Sequence, residues 1–135
     1  GHYIKGYKKL KLEEKIIKKP MWAFIIFFEE MPIGYIQYYN VHDFPREQGH
    51  DISELPASCA GLDWYIGEVE FTGKCIGTKA LSYFLNQHVF PTFEYVFVDP
   101  DTANTGAIRV YTKIGFTVIK KVNDGKITWM LCEKG

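Results

Sequence analysis

Apolar and polar positions divide the first third of the chain into three predicted elements. Residues 8–18 (KKLKLEEKIIK) predict the end of a helix that stops before Pro20, because the residue before a proline disfavours the helical backbone. Two aromatic-rich apolar runs follow at 22–28 and 33–39, separated by a short segment with two acids and a proline. This pattern predicts an antiparallel hairpin.

The rest of the chain predicts further strands and helices joined by loops. Residues 42–60 hold prolines, a glycine and several acids, and predict one long loop, which in a compact domain is more often functional than idle. Later elements are predicted as strands at 62–69 and 95–98, helices at 78–89 and 105–114, the second closed by Gly115, and a hairpin at 116–122 and 126–131 around Asn123-Asp124-Gly125. Their order predicts a mixed α/β sheet with packed helices, in a single domain at 1–135.

Composition narrows the classes of function. Hydrophobic residues make up 47% of the chain and aromatic residues 16%, which excludes a disordered protein. We expect no nucleic-acid partner, because no basic stripe with interleaved aromatics occurs, and no membrane partner, because the longest apolar run, 21–28, is too short to span one.

Cysteines and histidines indicate the compartment and the absence of a metal. Three cysteines without a C-x-x-C pair, and no visible secretory signal, predict a reduced, cytoplasmic protein without disulfides. His42, His50 and His88 lack the spacing of metal ligands, so we expect surface or core histidines and no metal.

Charge is unevenly distributed along a chain whose net charge is zero. Residues 20–73 hold nine acids against Arg46 alone, whereas residues 74–135 hold eight bases against five acids. An acidic segment followed by a basic one suits a cationic ligand beside an anionic one, although such runs are also common on solvated surfaces.

The stretch FTGKCIGTKAL at 71–81 places a glycine-containing loop directly before a predicted helix. Unpaired N–H groups and the helix dipole form a site for anions at such a junction. An ordinary surface turn accounts for the same residues.

Two motifs give a more specific indication. The loop GKCIGT at 73–78 follows a predicted strand, and the run NTGAIRVYTKIGF at 104–116 follows later. Together they resemble the GNAT superfamily of acyl-CoA-dependent N-acetyltransferases, and most closely the aminoglycoside 6′-N-acetyltransferases. Asp63 and Asp99 point to the aminoglycoside branch, and the resemblance covers residues 20–132.

The resemblance implies a mixed, mostly antiparallel sheet with flanking helices and splayed central strands. The family's first strand and first helix have no counterpart before Gly1, so it also implies a chain that is N-terminally truncated relative to the family. Thr72 and Cys75 stand where the family usually has Gln or Arg and Gly. A cysteine still presents its backbone N–H to an anion, although its Cβ narrows the approach.

Acetyl-CoA is the co-substrate that the resemblance implies. The residues that would bind its pyrophosphate are Gly73, Lys74, Cys75, Ile76, Gly77 and Thr78. Val69 and Phe71 would offer backbone groups to the pantetheine arm as an added strand. Asn104 would hydrogen-bond that arm, cap its helix, or do both.

Acetyl transfer to an amine needs a base, and a proton donor for the leaving thiolate. The resemblance assigns base and substrate-binding roles to Asp63, whose alternative is a turn cap. Asp99 would bind another ammonium group, or cap the next helix. Tyr111 would protonate the thiolate, or only pack its helix on the sheet. Asp124 could reach the acceptor, although Asn-Asp-Gly is first a turn signal.

We therefore expect an acetyl-CoA-dependent N-acetyltransferase. It would acetylate a primary amine of an aminoglycoside-type, polycationic aminosugar by direct attack in a ternary complex, giving antibiotic resistance. A GNAT enzyme for a protein N-terminus or a small metabolite amine stays open, as does a non-catalytic acyl-CoA-binding domain. The oligomeric state is not determined by the sequence.

Overall fold

The computed structural model describes residues 6–10, 20–28, 30–44, 52–66 and 76–135, and for residues 6–10 the backbone alone. The strands within these ranges are β1 (Gly6–Leu10), β2 (Met21–Phe28), β3 (Met31–Asn40), β4 (Cys59–Ile66), β5 (Tyr95–Val98), β6 (Thr117–Val122) and β7 (Ile127–Glu133). The helices are α1 (Ile76–Phe84), which continues as a π-helical turn (Leu85–Val89), and α2 (Thr105–Ile114); a short 3-10 turn (Val41–Asp43) follows β3.

The described strands form one mixed sheet in the order β1-β2-β3-β4-β5-β7-β6. Strands β4 and β5 run parallel, and every other neighbouring pair is antiparallel. The mixed, mostly antiparallel sheet with flanking helices is therefore confirmed.

The central strands separate partway along their length. Strands β4 and β5 pair at three positions, which end at Gly61 and Phe97. Beyond that point β4 stays with β3 as far as Ile66, while β5 stays with β7 as far as Val98. The expected splay thus begins directly after Gly61.

Both faces of the sheet are packed. On one face the apolar sides of α1 and α2 join alternate strand residues in a large buried cluster that includes Leu62, Phe84 and Val96. On the other face a smaller cluster forms around Phe97 and Trp129, covered by Val41 and Leu55 from the segment between β3 and β4. The long loop therefore contributes to the core.

Residues close together in the chain define the ends of α2 and the turns of both hairpins. The Asn104 side chain accepts from the backbone N–H of Ala107 at 3.1 Å, and Gly115 ends α2 with a φ of 124°. The β2–β3 turn contains Glu30 at a φ of 71°, and the β6–β7 turn contains Asn123 and Asp124 at 54° and 56°. Both hairpins and the helix at 105–114 are confirmed.

The helix expected at 8–18 is wrong for residues 8–10, which belong to β1. There Lys8 lies opposite Ile25 and Leu10 opposite Ala23. Helix propensities differ by only tenths of a kcal/mol among ordinary residues, so pairing with a neighbouring strand overrides them. Residues 11–18 lie outside the described ranges, as do residues 67–69 of the strand expected at 62–69.

Gly61 lies opposite Tyr39 in the β3–β4 register. Gly61→Ala should lower the free energy of unfolding by about 1–3 kcal/mol, because the new methyl group would overlap the buried ring of Tyr39, which packs against Phe44. Urea unfolding measures this loss.

Gly106→Ala is the matched control for Gly61→Ala. The nearest atom to its new methyl group would be Asn104 Oδ1 at 3.8 Å, and alanine favours the helix by about 0.5–1 kcal/mol over glycine. We expect this variant to be at least as stable as the parent. A Gly61→Ala protein of parental stability would contradict the close packing.

Candidate active site

An open cleft of about 180 Å³ lies where β4 and β5 separate. Its walls come from both separated strands, from β3 and from α2. The lining residues are Tyr35, Leu62, Asp63, Trp64, Asp99, Pro100 and Tyr111. Asp63, Asp99 and Tyr111, which are far apart in the chain, therefore meet in one cleft.

Asp63 is held in place by the neighbouring strand. It lies opposite Gln37 in the β3–β4 register, and the Gln37 side-chain amide donates from Nε2 to Asp63 Oδ2 at 3.2 Å. Because its neighbours Leu62 and Trp64 pack on the helical face, strand alternation directs Asp63 to the opposite face. One carboxylate oxygen is thereby engaged by Gln37, and the residue borders the cleft.

Asp99 follows directly after β5 and borders the cleft from the other separated strand. Its charge and that of Asp63 both act on Tyr111 and raise the pKa of the phenol. Two carboxylates therefore border a half-open cleft, a setting that suits a ligand with more than one positive charge.

Tyr111 reaches the cleft from the helical face. It is buried in α2, its ring lies 5.3 Å from that of Phe116, and the indole Nε1–H of Trp64 donates to its hydroxyl at 2.8 Å. The pKa of Tyr111 is raised to about 12, with burial as the largest cause; the Trp64 hydrogen bond acts to lower it, and the charges of Asp63 and Asp99 act to raise it. The phenol is therefore protonated at neutral pH, and its oxygen already accepts one hydrogen bond.

Two other predicted site residues do not line this cleft. Asn104 is exposed and uses its side-chain oxygen to cap α2, which is one of the two roles considered for it. Asp124 is exposed in the β6–β7 turn with a left-handed backbone, as the turn interpretation of Asn-Asp-Gly requires. A substrate role for either residue stays a prediction.

Most of the predicted acetyl-CoA loop falls outside the described residues. Val69, Phe71, Gly73, Lys74 and Cys75 all belong to residues 67–75, which the structure does not describe. Residues Ile76, Gly77 and Thr78 form the first turn of α1. The last three residues of the predicted loop thus lie in α1.

Three residues of the site were not predicted from the sequence: Trp64, Gln37 and Tyr35. Trp64 follows Asp63 in the chain, so its indole N–H next to the candidate base could have indicated a role in the site. Gln37 and Tyr35 lie in β3 and reach the site only through the β3–β4 register, which a single sequence does not specify.

The described histidines and cysteines contact the backbone, pack against aromatic rings or lie in the core. His42 is exposed, with Nε2 2.8 Å from the carbonyl oxygen of Pro56, while His88 packs against Phe24 and Phe84, and burial lowers its pKa. Cys59 and Cys132 are buried and carry thiol groups rather than disulfides.

The described residues form neither a metal-binding cluster nor a membrane-spanning helix. Among residues 20–28, 30–44, 52–66 and 76–135, no three His, Cys, Asp or Glu residues are grouped to hold a metal ion. No helix in the part of the chain that the structure describes is long and apolar enough to cross a membrane.

Comparison with solved structures finds close matches to the fold. The aminoglycoside acetyltransferase AAC(6')-Ib in complex with paromomycin and acetyl-CoA has a TM-score of 0.72 and 25% identity, over 86% of this chain and 66% of that one. The same enzyme with ribostamycin and coenzyme A gives 0.74 and 24%, over 90% and 71%. An aminoglycoside N(6')-acetyltransferase from Legionella pneumophila gives 0.63 and 21%, over 84% and 63%.

The present chain thus spans about two thirds of the length of these enzymes. A family model described as an acetyltransferase (GNAT) domain matches residues 7–124, which include the cleft and both helices that flank the sheet. The match confirms the resemblance that the two motifs indicate, and the chain belongs to the GNAT acetyltransferase family.

Proposed function

We propose that this protein transfers an acetyl group from acetyl-CoA to a primary amine of an aminoglycoside-type aminosugar, by direct attack in a ternary complex. The observation that carries the proposal is the meeting of Asp63, Asp99 and Tyr111 in one cleft between the separated strands. These residues offer a base, a second anionic group and a buried proton donor for the reaction of this family.

The two carboxylates favour a polycationic acceptor. Asp63 and Asp99 border the cleft from opposite strands, so each can attract a different ammonium group. Solved structures of similar fold hold aminoglycosides, among them paromomycin at 25% identity. A neutral acceptor would offer no positive charge to either carboxylate.

Acetyl-CoA would bind beside the acceptor. We infer that backbone N–H groups of residues 73–78, together with the N-terminus of α1, bind its pyrophosphate. Val69, Phe71 and Asn104 would contact the pantetheine arm. The amide nitrogen of Asn104 is not used by the cap, which employs the oxygen, so capping and binding are compatible.

The reaction needs two proton transfers from the amine. An ammonium group first loses one proton to Asp63, directly or through water, and the neutral nitrogen attacks the thioester carbonyl carbon. A C–N bond forms, the C–S bond breaks, and the sulfur takes the proton of Tyr111. The nitrogen then loses its second proton. Of the two protons that the amine has lost, one returns to Tyr111 and the other is released to solvent.

The charge of Asp63 links the base to the acid. A phenol with a pKa of about 12 does not readily give its proton to a thiolate, whose conjugate acid has a pKa of about 8.5. An ammonium group of the acceptor that pairs with Asp63 or Asp99 offsets a negative charge that raises the pKa of Tyr111. A bound polycationic acceptor therefore makes Tyr111 a stronger acid.

Release of the CoA thiol with a panel of amines tests the proposal. The proposed acceptor is the 6′-amine, the position named for the enzymes of similar fold. Kanamycin and ribostamycin carry this amine and should be acetylated, whereas paromomycin carries a hydroxyl group there and should be poor. A sensitive strain that produces the protein should tolerate more kanamycin and no more paromomycin. Turnover of peptides alone, or CoA binding without turnover of any amine, would contradict the proposed function.

Asp63→Asn should lower kcat by roughly two to four powers of ten, as expected for loss of a general base. The amide keeps the shape of the side chain, so the dissociation constant of acetyl-CoA, measured by calorimetry, should hardly change. Asp101→Asn is the control, because Asp101 is exposed and does not line the cleft. If Asp63→Asn stays within a few-fold of the parent, Asp63 is not the base.

Tyr111→Phe removes a hydroxyl group that would act on the departing thiolate. We expect a fall in kcat with little change in KM, and a stability loss no larger than one hydrogen bond, about 0.5–1.5 kcal/mol. Steady-state kinetics and thermal unfolding on the same samples separate the two effects. A loss of activity that simply follows a loss of folded protein would indicate a structural hydroxyl instead.

A further inference from the structure

Trp64 connects the two catalytic candidates. It follows Asp63 in β4, lines the same cleft, and donates from its indole Nε1–H to the Tyr111 hydroxyl at 2.8 Å. This bond joins the strand of the proposed base to the helix of the proposed acid. We propose that Trp64 is a positioning residue that orients the Tyr111 hydroxyl for acetyl transfer, an inference that rests on the proposed function.

The hydrogen bond restricts where the phenolic proton can point. A tyrosine hydroxyl has one proton to donate and lone pairs that accept, and here the indole N–H occupies a lone pair. The proton must then point away from Trp64. Because the Tyr111 ring is buried and packs beside Phe116, it cannot swing away, and its proton remains available to the cleft that it lines.

The indole N–H of Trp64 also favours negative charge on the Tyr111 oxygen, which its other surroundings disfavour. Burial and the carboxylates of Asp63 and Asp99 oppose negative charge on the Tyr111 oxygen, whereas the Trp64 hydrogen bond favours it. A donor aimed at an oxygen that gains negative charge becomes a stronger interaction as the charge develops. Loss of this donor should therefore slow the chemical step rather than weaken substrate binding.

A packing role is the competing explanation, because Trp64 also packs against the core cluster beneath the helices. Trp22 provides a matched control. It is half-buried, packs against the same cluster and stacks on Tyr38, but it does not line the cleft. Replacement of either tryptophan by phenylalanine removes a similar volume, and only one of the two changes removes the donor to Tyr111.

A double-mutant cycle tests the inference. Trp64→Phe should lower kcat roughly three- to tenfold, which corresponds to one ordinary hydrogen bond, with KM for acetyl-CoA little changed. In the Tyr111→Phe background the same change should have no further effect, and Trp22→Phe should leave kcat unchanged. An equal loss in both backgrounds, or a Trp64→Phe protein as active as the parent, would overturn the positioning role.

A readout that does not depend on turnover completes the test. In the ¹⁵N NMR spectrum, the indole N–H signal that disappears in Trp64→Phe should shift and exchange faster with solvent in Tyr111→Phe. An unchanged signal would overturn the inference. A folded parent that acetylates no amine would overturn the proposed function and this inference together, whereas an active parent indifferent to Trp64→Phe overturns this inference alone.

Discussion

The short parallel pairing of β4 with β5 is the constraint on which the site depends. These strands pair only as far as Gly61 and Phe97, after which each continues with its antiparallel partner. Parallel pairing is slightly less stable per residue than antiparallel pairing, so a twisted sheet separates most readily between these two strands. The separation puts Asp63 and Asp99 on opposite walls of a cleft and opens the sheet to a side chain from α2.

Close packing surrounds the residues at which β4 and β5 remain paired. Ala60 and Val96 on the helical face, and Cys59 and Phe97 on the other, are fully buried. Beneath the second face, the Lys120 ammonium lies 2.6 Å from Glu54 and 4.7 Å from the centroid of the Trp129 ring. These contacts tie the segment after β3 to the sheet. The cleft therefore opens from a close-packed base, which holds its walls at a defined separation.

The electrostatics of the cleft combine opposing requirements. A cationic acceptor calls for carboxylates, but the same carboxylates raise the pKa of the phenol that the leaving group requires. In the proposed reaction, the ammonium groups of the acceptor offset part of the carboxylate charge, and the hydrogen bond from the Trp64 N–H lowers the pKa of the phenol. The residues thus act as one coupled set, and their substitutions should not be additive.

Sequence patterns alone determined the elements whose signals are local. The aromatic-rich apolar runs of β2 and β3, the Asn-Asp-Gly turn, and the cap and glycine at the ends of α2 each depend on residues a few positions apart. The two motifs at 73–78 and 104–116 also indicated the family, and with it Asp63, Asp99 and Tyr111. Only the tertiary structure decided that residues 8–10 form an edge strand, that Gln37 holds Asp63, and that Trp64 bonds to Tyr111. The last two contacts join residues 26 and 47 positions apart, because strand register and the docking of a helix on a sheet are settled by packing across the whole domain.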